Sequence, residues 1–488
     1  MKKYVLTVGA VLILAAGAVT VSQLKIRKNP EPDEKLIYYT IGQEDTDLSK
    51  VNDALNQLLS ERYQITVDYR KLDWNIYGDK ITNNLNLNEQ MDVVFASSVQ
   101  QGDYVGNARN GAWYPLDEFL EGEGHALYEA IPEIWWEGAR IEGHIYGVPT
   151  SKELASVEHW MYPKELIDKY QIDIDSLERI EDLEPIFAKI KQEEPDYTVM
   201  ELNQYSCNFW AVDGYEYIID YQIPLMVDEL DKEVKVFNIM ETREGEEVLR
   251  ILRKYYLEGY ISSDAPIRES QTIQKGEKVF WRHAQGGPYA ELEWSKQRGY
   301  EIVAKTIGPI VINTDSLRGA YMCIPRSSKR PEEACRFLEA VNTDADVRNL
   351  LAYGIEGENY TLSDNGQVKM QKDSYTGVDY TQGNYFLLRT RTDQPTDLWD
   401  KFQEFNDSAV RSETLFFEPD ISKIENEIKA VRKVAEKFYP ALMTGSVDVD
   451  EYLPLYREEL KKAGIETIKD EVQKQLSQWK KNEEGKEQ

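Results

Sequence analysis

The stretch 36-LIYYTIGQEDTDLSKVNDALNQLLSERYQITVDYRKLDWNIYGDKITNNLNLNEQMDVVFASS-98 decides the fold class. Leu36-Ile37-Tyr38-Tyr39 is a compact β-prone run. Val51, Leu55, Leu58 and Leu59 follow at helical spacing, with Asp47 as a cap. Residues 65–69 (ITVDY) alternate as a second strand, a helix is predicted around 77–87, and 91–95 (MDVVF) reads as a third strand. Strand–helix–strand–helix–strand marks a parallel α/β layer. Ligands of such layers collect at the carboxyl ends of the strands, here 40–43, 71–74 and 96–98. Gln43, Trp74, Ser97 and Ser98 are therefore candidate ligand contacts.

A second α/β region follows Pro149, with helices predicted near 164–170, 180–191 and 244–258. From Pro331 the pattern is helical again, and 421–438, 448–463 and 467–481 make the C-terminal region almost wholly helical. A chain of 488 residues exceeds a single core, so at least two lobes are expected. Fifty-seven basic against 87 acidic residues give a net charge of −30, which argues against a nucleic-acid partner. The three cysteines, Cys207, Cys323 and Cys335, form no C-x-x-C pair and are expected as buried free thiols.

The N-terminus bears on compartment. Lys2 and Lys3 precede an uncharged run over 4–21, with small residues at Ala16-Gly17-Ala18. That is the pattern of an export signal, and about 18–20 apolar residues can also span a bilayer as an uncleaved anchor. Residues 1–28 are thus a signal peptide or membrane anchor. Residues 29–35 then form a Pro-rich acidic linker, with the bulk of the chain outside the cytoplasmic membrane.

No G-x-S-x-G, H-E-x-x-H or G-x-x-x-x-G-K-[ST] occurs, and the four histidines have no metal-ligand spacing. No catalytic residue, metal or cofactor is expected. The aromatics are more informative. Ten Trp and 31 Tyr include Trp74, Trp113, Trp135-Trp136, Trp210, Trp281 and Trp294 in polar, loop-like surroundings. Flat rings beside hydrogen-bonding groups suit a sugar, although any single ring is more often packing.

Several segments resemble the bacterial extracellular solute-binding proteins (family 1) of oligosaccharide-type ABC importers. Glu142-Gly143-His144-Ile145-Tyr146-Gly147-Val148-Pro149 is similar to the family's first lobe crossing, and Arg326 to Ala334 followed by Phe337-Leu338 is similar to its "SknPeeAxxFl" helix start. Asn349 to Gly357 and Ala463 to Trp479 resemble the lipoprotein branch of that family, from which Ala18 departs by standing where the lipidated cysteine would be. The resemblance implies an α/β, two-lobed periplasmic-binding-protein-like (type II) fold with a hinge at Gly147 and Pro149 and a helical C-terminal region. Lobe one would take 36–149 and 315–355, lobe two 150–314 and 356–480, and 481–488 would be a tail. It further implies ligand contacts at Glu153, at Phe209 and Trp210, and at Tyr289 with Trp281 near by. The implied partners are an oligosaccharide, the permease subunits of an ABC transporter and the membrane, with the chain monomeric. An extracytoplasmic polysaccharide-degrading enzyme, or a non-transport surface protein, is the alternative.

Overall fold

A computed structural model describes residues 35–98, 101–269, 276–372 and 374–486; the N-terminal segment read as signal or anchor lies outside these residues. Among the described residues no helix is long and apolar enough to cross a membrane. The opening pattern folds as β1 (Leu36–Ile41), α1 (Leu48–Tyr63), β2 (Val67–Leu72), α2 (Trp74–Asn86) and β3 (Val93–Ala96). Val51, Leu55 and Leu59 are the buried stripe of α1, as their spacing requires. Strands β1, β2 and β3 pair in parallel.

Two later strands complete this first sheet. They are β4 (Gly147–Pro149) and a strand at Tyr321–Cys323, both in antiparallel pairings, in the order β2-β1-β3-(321–323)-β4. Gly147 and Pro149, expected as the hinge, are paired members of the sheet edge, and the crossing itself follows at 150–155. The second sheet contains β5 (Ser156–Pro163), β6 (Thr198–Met200), β7 (Val279–Gln285) and β8 (Ile302–Ile312), with a short strand at Val410–Arg411 on its edge. A separate three-stranded sheet carries Tyr215–Tyr217 and Leu225–Asp228.

Each main sheet has its own core. The first gathers Tyr38, Val94, Phe95, Trp135, Trp136 and Phe337; the second gathers Trp160, Phe187, Trp210, Trp281, Phe438 and Tyr456. The second also buries the C-terminal helices Glu425–Met443, Val449–Ala463 and Ile465–Lys486, as their apolar periodicity implies. The chain passes between the cores three times, near 150–155, 312–320 and 409–417. Tyr162 and Ile307 lie in the second core, Leu317 and Leu415 in the first, and Phe417 in the second again.

The boundary expected at 355 is displaced. Tyr375 and Leu415 belong to the first core, and Ile355, Tyr380 and Phe405 pack against it. The reason lies in polar contacts that a strap at 374–382 makes across the carboxyl ends of β1 and β2. Thr40 and Thr381 share a hydrogen bond of 2.8 Å, and Gln382 Nε2 donates to the Tyr69 hydroxyl at 2.9 Å. Lys71 Nζ, wholly buried, donates to Asp45 and to the Thr376 carbonyl and stands 4.3 Å from the Tyr375 ring centre. Asp47 accepts from Ser374 Oγ and Asn359 Nδ2, so its carboxylate serves the strap and does not cap α1. Burial lowers the Lys71 pKa while the Asp45 carboxylate opposes the shift. Strand ends expected to face a ligand are therefore roofed by the strap at Thr40 and Lys71.

Candidate functional site

The larger of two neighbouring cavities, about 480 Å³, opens where the crossings meet the second lobe. Its walls come from Glu153 to Glu158 on the first crossing, from the turn and strand at 208–221, and from Ile307 to Gly319 on the second. The long strand β8 bends here. Gly308 adopts φ +69°, and a Cβ on it would lie 2.1 Å from the Ala211 carbonyl oxygen, so only glycine lets the strand approach the 208–213 turn. The register of β8 against β5 breaks between Ile307 and Val311 at the same place.

Carboxylates dominate this cleft. Glu216 accepts from Ser412 at 3.1 Å and from Thr414, and both Glu216 and Glu229 are within reach of Asn313. Burial raises the pKa of Glu216 and Glu229, and the charge of Glu216 raises Glu229 further. Asp315 is pushed up to about 6, chiefly by burial and then by Glu418. Asp220 is held by Arg432 at 2.6 Å and Glu153 by Lys152 at 2.7 Å. Tyr215, Tyr217 and Tyr221 interleave with these acids.

A pH dependence of stability follows. Carboxyls whose folded pKa lies above the unfolded value contribute stability at low pH that is lost as pH rises through the raised value. With Asp315 raised from 3.8 to about 6 and Glu229 from 4.5 to about 8, the melting temperature is expected to fall from the ordinary carboxyl range up to about pH 8. Glu229→Gln should raise it by about 2–4 °C at the alkaline end and little at the acid end, read by scanning fluorimetry. A gain of equal size at both ends would show that Glu229 is ionised throughout.

The sequence-derived residues divide. Glu153 and Trp210 line the cleft. Trp210, however, is only 1% exposed, and its Nε1 donates to the Tyr217 hydroxyl at 2.8 Å, so it packs the core instead of offering a ring face. Phe209 and Trp281 line the second cavity, and Trp281 is also 1% exposed. Tyr289 lines neither cavity; it starts the helix Ala290–Arg298, and its hydroxyl donates to Asp397 at 3.2 Å. Ser97 and Ser98 sit where β3 meets the second crossing. Ser97 Oγ and the Ser98 N–H both donate to the Arg318 carbonyl, and the buried Ser98 Oγ has no partner among the described residues. Gln43 is exposed beyond β1, and Trp74 is 40% exposed at the start of α2; neither lines either cavity.

Sequence reading missed Glu216, Glu229, Asn313 and Asp315. Among 87 acidic residues, the one available signal was the Tyr/acid alternation of 215-YEYIIDY-221.

The comparisons with known proteins agree with this architecture. Residues 413–481, the C-terminal helices on the second core, match the family model described as a domain of unknown function, DUF3502. Over 493 aligned residues the chain is 27% identical to a carbohydrate ABC transporter substrate-binding protein of Streptococcus pneumoniae serotype 4, covering 99% of each chain. The crystal structure of the N-glycan transport solute binding protein NgtS from Streptococcus pneumoniae superposes with a TM-score of 0.84 at 26% identity, covering 92% of this chain and 100% of that one. NgtS in complex with Man5GlcNAc superposes with a TM-score of 0.71 at 27% identity, covering 92% and 99%. Likeness along nearly the whole of both chains, joined to two α/β lobes with three crossings, makes the chain similar in sequence and architecture to bacterial carbohydrate ABC transporter substrate-binding proteins.

Proposed function

We propose that the chain captures an oligosaccharide in the cleft between its lobes and delivers it, by lobe closure, to the permease of an ABC importer on the outer side of the cytoplasmic membrane. The observation that carries this reading is a difference among superpositions on one relative. The TM-score is 0.84 for NgtS, 0.74 for NgtS with Man1GlcNAc and 0.71 for NgtS with Man5GlcNAc. The relative is the same protein in all three, and we read the spread of scores as a difference in lobe arrangement. A closing movement is then available to this chain, and the three crossings with the bend at Gly308 supply a hinge. The cleft offers tyrosine rings and carboxylates that accept from hydroxyls, the groups a neutral sugar needs.

Residues 1–28, as signal or anchor, would hold the protein at the membrane or release it. The lobes would comprise about 36–149 with 315–416, and 150–314 with 417–480. Calorimetry with Man1GlcNAc, Man5GlcNAc and a panel of other oligosaccharides tests the reading. Micromolar binding, about −8 kcal/mol, is expected with no cleavage products and little change between low and high salt. Product release would favour a degrading enzyme, and a steep salt dependence would contradict a neutral ligand.

A further inference from the structure

The second cavity, about 320 Å³, lies in lobe two at the carboxyl ends of β6 and β7, which pair in parallel. That edge is where open α/β sheets take ligands. The cavity is not isolated from the cleft, because Asn208 and Gln285 line both. Between them stands Glu158, which accepts from Gln285 Nε2 at 2.9 Å and Asn208 Nδ2 at 3.4 Å and is paired with His283.

The lining has the character of a sugar site. Phe209 is half-buried and Tyr205 is exposed, so both rings are accessible at its wall. Its charges are matched: Arg282 meets Glu201 at 3.0 Å, and Arg179 lies 3.4 Å from Glu181 and 4.0 Å from Asp213. Matched charges beside rings favour a neutral, hydroxyl-rich ligand over an ion. Both volumes fall within the roughly 300–1,000 Å³ of small-molecule sites.

We propose that this cavity is a second binding compartment, which receives an arm or terminal unit of the same oligosaccharide that occupies the cleft. Glu158, Asn208 and Gln285 form the wall the glycan crosses. The proposal rests on the carbohydrate reading, and it makes the protein selective for long or branched glycans over short ones.

The test compares Man1GlcNAc and Man5GlcNAc by calorimetry on the full chain, on Val212→Trp, which fills the second cavity, and on Tyr205→Ala, which removes an exposed ring from its wall. The wild type should bind Man5GlcNAc at least about tenfold more tightly. Val212→Trp should abolish that preference while changing the affinity for Man1GlcNAc less than about threefold. Tyr205→Ala, whose exposed position leaves folding intact, should lower the preference about threefold or more, and it decides the matter if Val212→Trp does not fold. Equal binding of both glycans by the wild type, with no effect of either variant, would overturn the second compartment and leave the carbohydrate reading standing. An equal loss of both glycans in the variants would also overturn it. Binding of neither glycan by the wild type would remove the carbohydrate reading's nearest support, and this proposal with it.

Discussion

Trp210→Ala is expected to destabilise the unliganded protein by about 3–5 kcal/mol, the cost of emptying a large aromatic site in a packed core. Trp210 is 1% exposed, packs in the second core and ties the 208–213 turn to Tyr217. Loss of the ring therefore creates a void and leaves the Tyr217 hydroxyl without its donor. The contrast is Tyr221→Ala. Tyr221 lines the same cleft but is 40% exposed, so its removal should leave the melting temperature nearly unchanged and weaken sugar binding about tenfold. Denaturant unfolding and calorimetry on both variants separate the roles. A Trp210→Ala protein with wild-type stability would return Trp210 to the ligand-facing role that the family resemblance implied.

The second large effect is expected at the strap. Lys71→Ala leaves the Asp45 carboxylate buried without its cation, a loss of about 3–5 kcal/mol. The same change removes the bond to the Thr376 carbonyl, so amide exchange should rise over 374–382 before it rises in β1 or β2. Denaturant unfolding and hydrogen exchange measure the two parts. Unchanged exchange in 374–382 would show that Ser374, Thr381 and Gln382 hold the strap without Lys71.

Local pattern carried the first layer. The α1 stripe of Val51, Leu55 and Leu59 and the alternation over 65–69, of which β2 takes up Val67 onward, are periodic, so burial follows from spacing. The C-terminal helices were legible for the same reason. The strap was not, because 374-SYTGVDYTQG-383 has no period and its partners are remote in sequence, 341 residues away for Thr40 and Thr381. Tryptophans were harder still. Residue type says that a ring is large and apolar, and only the assembled core says that Trp210 and Trp281 face inward while Trp74 does not. The cleft carboxylates were invisible among so many acids, since what distinguishes Glu216, Glu229 and Asp315 is burial and mutual proximity.

The strand at Tyr321–Cys323 lies between β3 and β4 in the first sheet. That insertion has a consequence for biosynthesis. An interior strand of the N-terminal lobe emerges from the ribosome only after roughly two-thirds of the chain, so this lobe cannot close its sheet until synthesis is well advanced. The nascent polypeptide stays unfinished, and therefore threadable, until late. Under the extracytoplasmic reading proposed above, topology itself delays premature folding on the wrong side of the membrane.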